Sequence, residues 1–182
     1  MPKDSIEKPE LSPDHKRQSP NNPPPSKSHH EFLKKAKSQY DAAFHLLHVT
    51  YPLIKDPHFL IGIATNLLNS YEAGMQALLS YDQEHFHIGP YTNTFSSKFT
   101  HFRAKSVPRH HIPSEHIQII NTLREIIDLH KKSPTEFQRG NRFVICNDQF
   151  SFKTISASDL KEHLTHAQFF LEQINSIINR KA

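Results

Sequence analysis

The chain has 182 residues, enough for one domain with a tail, and it contains 13 prolines but only four glycines. Its net charge of +4 with neutral histidines permits contact with an acidic partner but does not require one. The single cysteine, Cys146, excludes an intramolecular disulfide and a zinc site of several thiolates, which favours the reducing cytoplasm as the compartment.

The first 27 residues are rich in proline, serine and charged groups. Because such a segment cannot bury enough apolar surface to offset its ordering entropy, we expect residues 1–27 to form a disordered Pro-rich tail. The most apolar stretch, residues 59–81, contains Asn66, Asn69 and Glu72, whose polar groups would be costly in lipid. We therefore expect no membrane association.

Residues 28–182 have the periodicity of a helical-bundle domain. Helix one begins at Ser28 with a capping box to Glu31, and Pro52 ends or kinks it near Thr50. Helix two begins at Asp56-Pro57 and carries the broadest apolar surface of the chain. Its small residues would let a neighbouring helix approach closely, or are simply tolerated there; they include Gly62 and Gly74.

The apolar residues in the second half of the domain follow a helical period except in one β-rich segment. A short helix over residues 93–105 carries three phenylalanines at helical spacing, and helix three runs from Ser114 to Lys132. Ser133 to Glu136 is typical of another capping box, which predicts about two helical turns that stop at Gly140. The β-rich residues 142–155 predict a hairpin.

Helix four starts at Ser156 or Ser158 and has the clearest periodicity in the chain. Its apolar residues repeat in heptads: Leu160, Leu164, Ala167, Leu171, Ile174 and Ile178. Phe169, Phe170 and Ile177 fall outside this stripe, so the helix is either buried on two sides or meets a homodimer or protein partner. The fold class is mainly α, an antiparallel helical bundle of about four long helices with a short β-hairpin between the last two.

Motifs for hydrolysis and cofactor binding are missing from the sequence. There is no GxSxG motif, no Gly-rich phosphate loop and no HExxH motif, so we expect no cofactor. The 15 histidines are scattered without a recognised ligand spacing, and we expect no metal.

A basic region is a candidate nucleic-acid-binding surface. Residues 98–142 contain nine basic and four acidic residues, with phenylalanines interleaved near the start. Basic groups beside aromatics hold phosphates and stack on unpaired bases. The candidate RNA-binding residues are Lys98, Arg103, Lys105 and Arg109. The alternative interpretation is that the phenylalanines belong to the core and the charges only solvate the surface.

Arg124 and His130 are the candidate catalytic pair. The segment from Arg124 through Glu125, Ile126, Ile127, Asp128 and Leu129 to His130 resembles the Arg-x(4–6)-His motif of HEPN domains, small helical bundles found in many RNA-cleaving enzymes. The resemblance implies that His130 acts as general base or acid on a ribose 2′-hydroxyl and that Arg124 stabilises the phosphate. It also implies that dimerisation completes the site.

Two functions follow from these observations. The first is a non-catalytic binding or assembly module that acts through helix four or the basic region. The second is an HEPN-like protein that binds or processes RNA with Arg124 and His130.

Overall fold

The computed structural model describes residues 28–147 and 151–180, which are mainly helical and include a small three-stranded antiparallel sheet. The predicted tail, residues 1–27, and most of the predicted hairpin turn lie outside the described residues. The α-helices are α1 (His29–His45), α2 (Tyr51–Ile54), α3 (His58–Glu84), α4 (Phe95–His101), α5 (Val107–His110), α6 (Ser114–His130) and α7 (Ala157–Ile178). The strands are β1 (Thr135–Arg139), β2 (Arg142–Cys146) and β3 (Phe152–Ser156).

Two π-helical turns let the chain pass a proline without ending the helix. The turn Leu46–Thr50 joins α1 to α2, and the turn Phe102–Ser106 joins α4 to α5. Each is followed at once by an X-Pro pair, Pro52 in α2 and Pro108 in α5. A proline lacks the N–H of the regular helix and its ring clashes with the carbonyl four residues earlier, and a π turn is one way to absorb both. The helical run that begins with α1 therefore continues past Pro52 to Ile54 and does not end near Thr50.

The long helix α3 lies at the centre of the core. It packs against α1, α4, α6 and α7, and Leu67, Leu78 and Leu79 on it are fully buried. Ser70 ties it to α1, since its hydroxyl donates to the carbonyl of Ala36 (2.8 Å). The sequence correctly identified this helix as the one with the broadest apolar surface.

Side-chain caps set two helix starts near the predicted positions. Ser28 caps α1, but its hydroxyl accepts from the N–H of His30 (3.3 Å), not from that of Glu31 as expected. Ser156 caps α7 in a complete capping box with Asp159, which decides between the two predicted starts of helix four. Such caps satisfy N–H groups that the helix leaves unpaired.

The segment after α6 corrects one prediction. Thr135–Arg139 is not a helix but strand β1, which pairs antiparallel with β2 so that Phe137 faces Val144. Gly140, with φ of 60°, and Asn141 form the two-residue turn between them. Residues with positive φ are typical of hairpin turns, so Gly140 is a turn residue and not a helix stop. The predicted pairing of β2 with β3 is present, and β1 makes the sheet three-stranded.

The inner face of the sheet closes the core. Phe143 and Ile145 of β2 and Ile155 of β3 are buried there, and β2 and β3 both contact α6. Because side chains alternate along a strand, the opposite face carries Val144 and its neighbours in register. Among the described helices, none combines the length and apolarity that a bilayer crossing requires.

Candidate functional site

Two of the predicted site residues, Lys98 and Arg124, come together around Glu72 of α3. The Arg124 guanidinium lies over the ring of Phe95, with Cζ 3.7 Å from the ring centroid, and its Nη1 is 3.4 Å from Oε1 of Glu72. One turn along α3, the Gln76 side-chain oxygen accepts from Lys98 Nζ (3.0 Å). Helices α3, α4 and α6 thus bring a carboxylate and two cations together at a partly exposed surface, which we call the Glu72 crevice.

Burial alters the electrostatics of this crevice. Desolvation raises the pKa of Glu72, although Arg124, Lys98, Lys35 and Lys131 all act to lower it. Desolvation likewise lowers the pKa of Lys98, and repulsion from Lys35 adds to the effect. The Arg124 and Glu72 side chains remain 37% and 36% exposed, so solvent still screens their attraction.

The other member of the predicted catalytic pair, His130, has a different partner. Its Nδ1 lies 2.6 Å from Oε1 of Glu136 on β1. A carboxylate can only accept, so Nδ1 carries the proton and Nε2 of a neutral ring is left as an acceptor. Arg124 is instead paired with Glu72 and Asp128. Arg124 and His130 are six residues apart, and in a regular helix this spacing separates two side chains by roughly 120° around the axis and 9 Å along it. The two side chains therefore do not share one face of α6.

The remaining predicted RNA-binding residues lie on a separate segment. Arg103 and Lys105 belong to the π turn Phe102–Ser106 and Arg109 to α5, and all three are exposed. The structure therefore divides the predicted basic surface: Lys98 points into the Glu72 crevice, whereas the other three cations face solvent.

A surface that the sequence did not single out is the outer face of the sheet. We call it the outer sheet face; it consists of Phe137, Arg139, Arg142, Val144, Cys146, Phe152 and Thr154, which line a concavity of about 450 Å³. Phe137 is 47% exposed and Phe152 is 66% exposed. Exposed aromatic rings on one sheet face are unusual in a small domain and indicate a contact surface.

Two arginines lie directly opposite each other at one end of this face. Arg139 of β1 and Arg142 of β2 are paired in register, and Arg142 donates to the Thr154 hydroxyl at 3.5 Å. Within the described part of the chain, neither guanidinium has a carboxylate within ion-pair distance. Like charges directly opposite on a sheet destabilise it, so this pair is suited to an anion from outside the chain.

The surface of α7 is only partly the one expected. Phe170 is fully buried beneath Gly74, whereas Phe169 beside it is 61% exposed. Between α1 and α7 lies a groove of about 530 Å³ that includes Tyr40, Phe44 and Leu171. Phe170 therefore belongs to the core and Phe169 to the surface, and a homodimer or protein partner at α7 stays a prediction.

Many histidines are paired with carboxylates. The clearest case is the fully buried Asp82, which accepts from the Ser106 hydroxyl (2.6 Å) and lies 2.7 Å from Nε2 of His110. This network ties the segment after α4 to the end of α3. In residues 28–147 and 151–180, no three histidine, cysteine or acidic side chains are arranged to hold a metal ion.

Comparison of the chain with protein-family models, curated proteins and solved structures gives no match.

Proposed function

We propose that this protein is a non-catalytic binding module that holds single-stranded RNA on its outer sheet face. The observation that carries the proposal is the pair of exposed rings, Phe137 and Phe152, beside the two opposed arginines, Arg139 and Arg142. Aromatic rings on a sheet stack on unpaired bases, and arginines at the end of the face hold a neighbouring phosphate. An antiparallel bundle of the long helices serves as the rigid support.

The spacing of the rings suits separate bases. Phe137 is opposite Val144 and Phe152 is opposite Cys146, on strands that flank β2 from either side. Two interstrand spacings and one two-residue step separate their Cα atoms by roughly 12 Å. Each ring therefore has room for a base of its own, and the chain between the two bases would cross Val144.

The charge pattern favours an anionic partner. Arg139 and Arg142 repel each other in the free protein, and a phosphate between them relieves that repulsion. A duplex keeps its bases stacked inside, so it offers the rings nothing to stack on. Single strands are therefore the preferred form.

Fluorescence anisotropy with a labelled single-stranded oligouridine tests the proposal. We expect Phe152→Ala to weaken binding by about 1–3 kcal/mol, roughly 5- to 150-fold in Kd, because one stacking surface is lost. Arg142→Gln should weaken binding and lower the salt dependence by about one phosphate contact. The matched controls remove an exposed ring and an exposed arginine elsewhere: Phe169→Ala on α7 and Arg180→Gln just after α7.

Two results would refute the proposal. One is that the unsubstituted protein does not bind the oligouridine at low salt. The other is a loss of affinity as large in Phe169→Ala as in Phe152→Ala, which would show that exposed aromatics contribute without regard to position.

A second function is favoured by one contact, the 2.6 Å approach of His130 Nδ1 to Glu136. In an HEPN-like RNA-processing protein, Glu136 would orient the imidazole so that Nε2 takes a proton from a ribose 2′-hydroxyl. Arg124, held over Phe95, would supply positive charge to the phosphate.

A cleavage assay separates the two functions. Incubation of a labelled single strand with the protein should leave it intact if the module only binds. Cleavage that disappears in His130→Ala, and falls in Glu136→Gln while binding persists, would support the HEPN-like function instead.

A further inference from the structure

The Glu72 crevice holds more positive charge than its carboxylates neutralise. Its cations are Lys35 of α1, Lys98 of α4, Arg124 of α6 and Lys131, which directly follows α6. Its carboxylates are Glu72 and Asp128, which both bind Arg124. Within the described residues, neither Lys35 nor Lys98 is within 4.0 Å of an acidic oxygen.

The contacts within the crevice are arranged around Glu72. Arg124 is fixed from one side by the Phe95 ring at 3.7 Å, so its guanidinium is already oriented without an anion. Lys98 donates to the neutral amide oxygen of Gln76, which leaves its charge unneutralised. The Glu72–Arg124 contact, at 3.4 Å, is longer than a well-formed charged hydrogen bond.

The carboxylate is itself in an unfavourable setting. Burial raises the pKa of Glu72 despite four surrounding cations, which means that the loss of hydration outweighs their attraction. A carboxylate carries one charge and two oxygens, whereas a phosphate group carries close to two charges and three free oxygens. A phosphate would therefore satisfy cations that Glu72 leaves incompletely paired.

We propose that the Glu72 crevice is a binding site for a phosphate group, free or on a phosphomonoester, and that the Glu72 side chain is the internal anion that the ligand displaces. Arg124 and Lys98 hold the phosphate oxygens, and Lys35 of α1 adds positive charge to the site. The site is distinct from the outer sheet face and does not depend on RNA binding there.

This arrangement predicts that removing one negative charge from the site strengthens the binding of phosphate. Glu72→Gln abolishes the competing charge but keeps an oxygen that accepts from Arg124. Like charges brought together weaken an association strongly, so we expect roughly tenfold tighter binding of inorganic phosphate in this variant. Isothermal titration calorimetry at constant ionic strength measures it, with chloride in the reference buffer.

The matched control and the second variant keep the test specific. Glu125→Gln removes an exposed carboxylate of the same helix as Arg124, where it pairs with Lys153 at 2.7 Å, and should leave phosphate binding unchanged. Adding Lys98→Met to Glu72→Gln should remove the gain. Circular dichroism melting confirms that each variant is folded before titration.

Titration with AMP beside inorganic phosphate identifies the source of the group. Tighter binding of AMP to Glu72→Gln indicates a phosphomonoester ligand, and equal or tighter binding of inorganic phosphate indicates the free ion; both support the site. If Glu72→Gln binds neither compound more tightly than Glu125→Gln does, the proposal is overturned. It is also overturned if the gain survives Lys98→Met.

Discussion

Gly74 is the position where the packing of the core makes the sharpest quantitative prediction. A Cβ built on Gly74 would lie 2.8 Å from Cε1 of Phe170 and 3.3 Å from side-chain atoms of Ile174 and Leu171. The Phe170 ring cannot easily move away, because it is fully buried and has Tyr71 at 4.9 Å between ring centroids. Helices α3 and α7 therefore approach too closely at this point for any side chain on residue 74.

Gly62 on the same helix provides the matched control. A Cβ there meets nothing within 4 Å. Replacing an interior helical glycine by alanine stabilises a helix by roughly 0.5–1 kcal/mol when there is room for the methyl group. Gly62→Ala should therefore raise the free energy of unfolding by about that amount.

In Gly74→Ala the same gain is opposed by overpacking, which typically costs about 1–3 kcal/mol. We expect a net loss of roughly 1–2 kcal/mol, so that the two alanine variants differ by about 2 kcal/mol. Urea unfolding, followed by the circular dichroism of the helix band at ~222 nm, measures the free energy of unfolding of both variants. If Gly74→Ala is stabilised as much as Gly62→Ala, the close approach of α3 and α7 is wrong.

Three further predictions concern buried polar groups. Burial lowers the pKa of His116 and of His163. The unfolded chain thus takes up protons at higher pH than the folded chain does. The free energy of unfolding should therefore fall as the pH drops below about 6.5. If this fall with pH is equally steep in His163→Gln, the prediction is wrong. Ser156→Ala should cost about 1 kcal/mol in urea unfolding through loss of the cap on α7; no change would show that the cap is dispensable. Asp82→Ala should lower stability by about 3 kcal/mol, because Ser106 and His110 lose a buried acceptor; a loss below about 1 kcal/mol would mean that the site is hydrated.

Local signals were sufficient for most helices of this chain. Ser28 and Ser156 lie at helix starts in the sequence and in the structure, because a cap acts on N–H groups two or three residues away. The same reasoning from neighbouring residues predicted a helix at residues 133–140, where the structure has strand β1. There the capping-box pattern competes with strand pairing to β2, and the pairing depends on residues that follow later in the chain.

The candidate sites depend on packing that a single sequence does not specify. Lys98 contacts Gln76 and Arg124 contacts Glu72 because α4 and α6 both pack beside α3. No pattern in the sequence predicts that packing. Alternation along β2 places Phe143 and Val144 on opposite faces of the sheet. Only the register shows that Phe137 lies on the outer face with Val144, which is itself buried there.

Photo-crosslinking of a single-stranded oligouridine to the full chain, followed by mass spectrometry of the crosslinked peptides, locates the bound RNA on the protein. Contact with the outer sheet face predicts crosslinks on the peptides that contain Phe137 and Phe152. Crosslinks confined to helical peptides, such as those with Arg103 or Arg124, would contradict it.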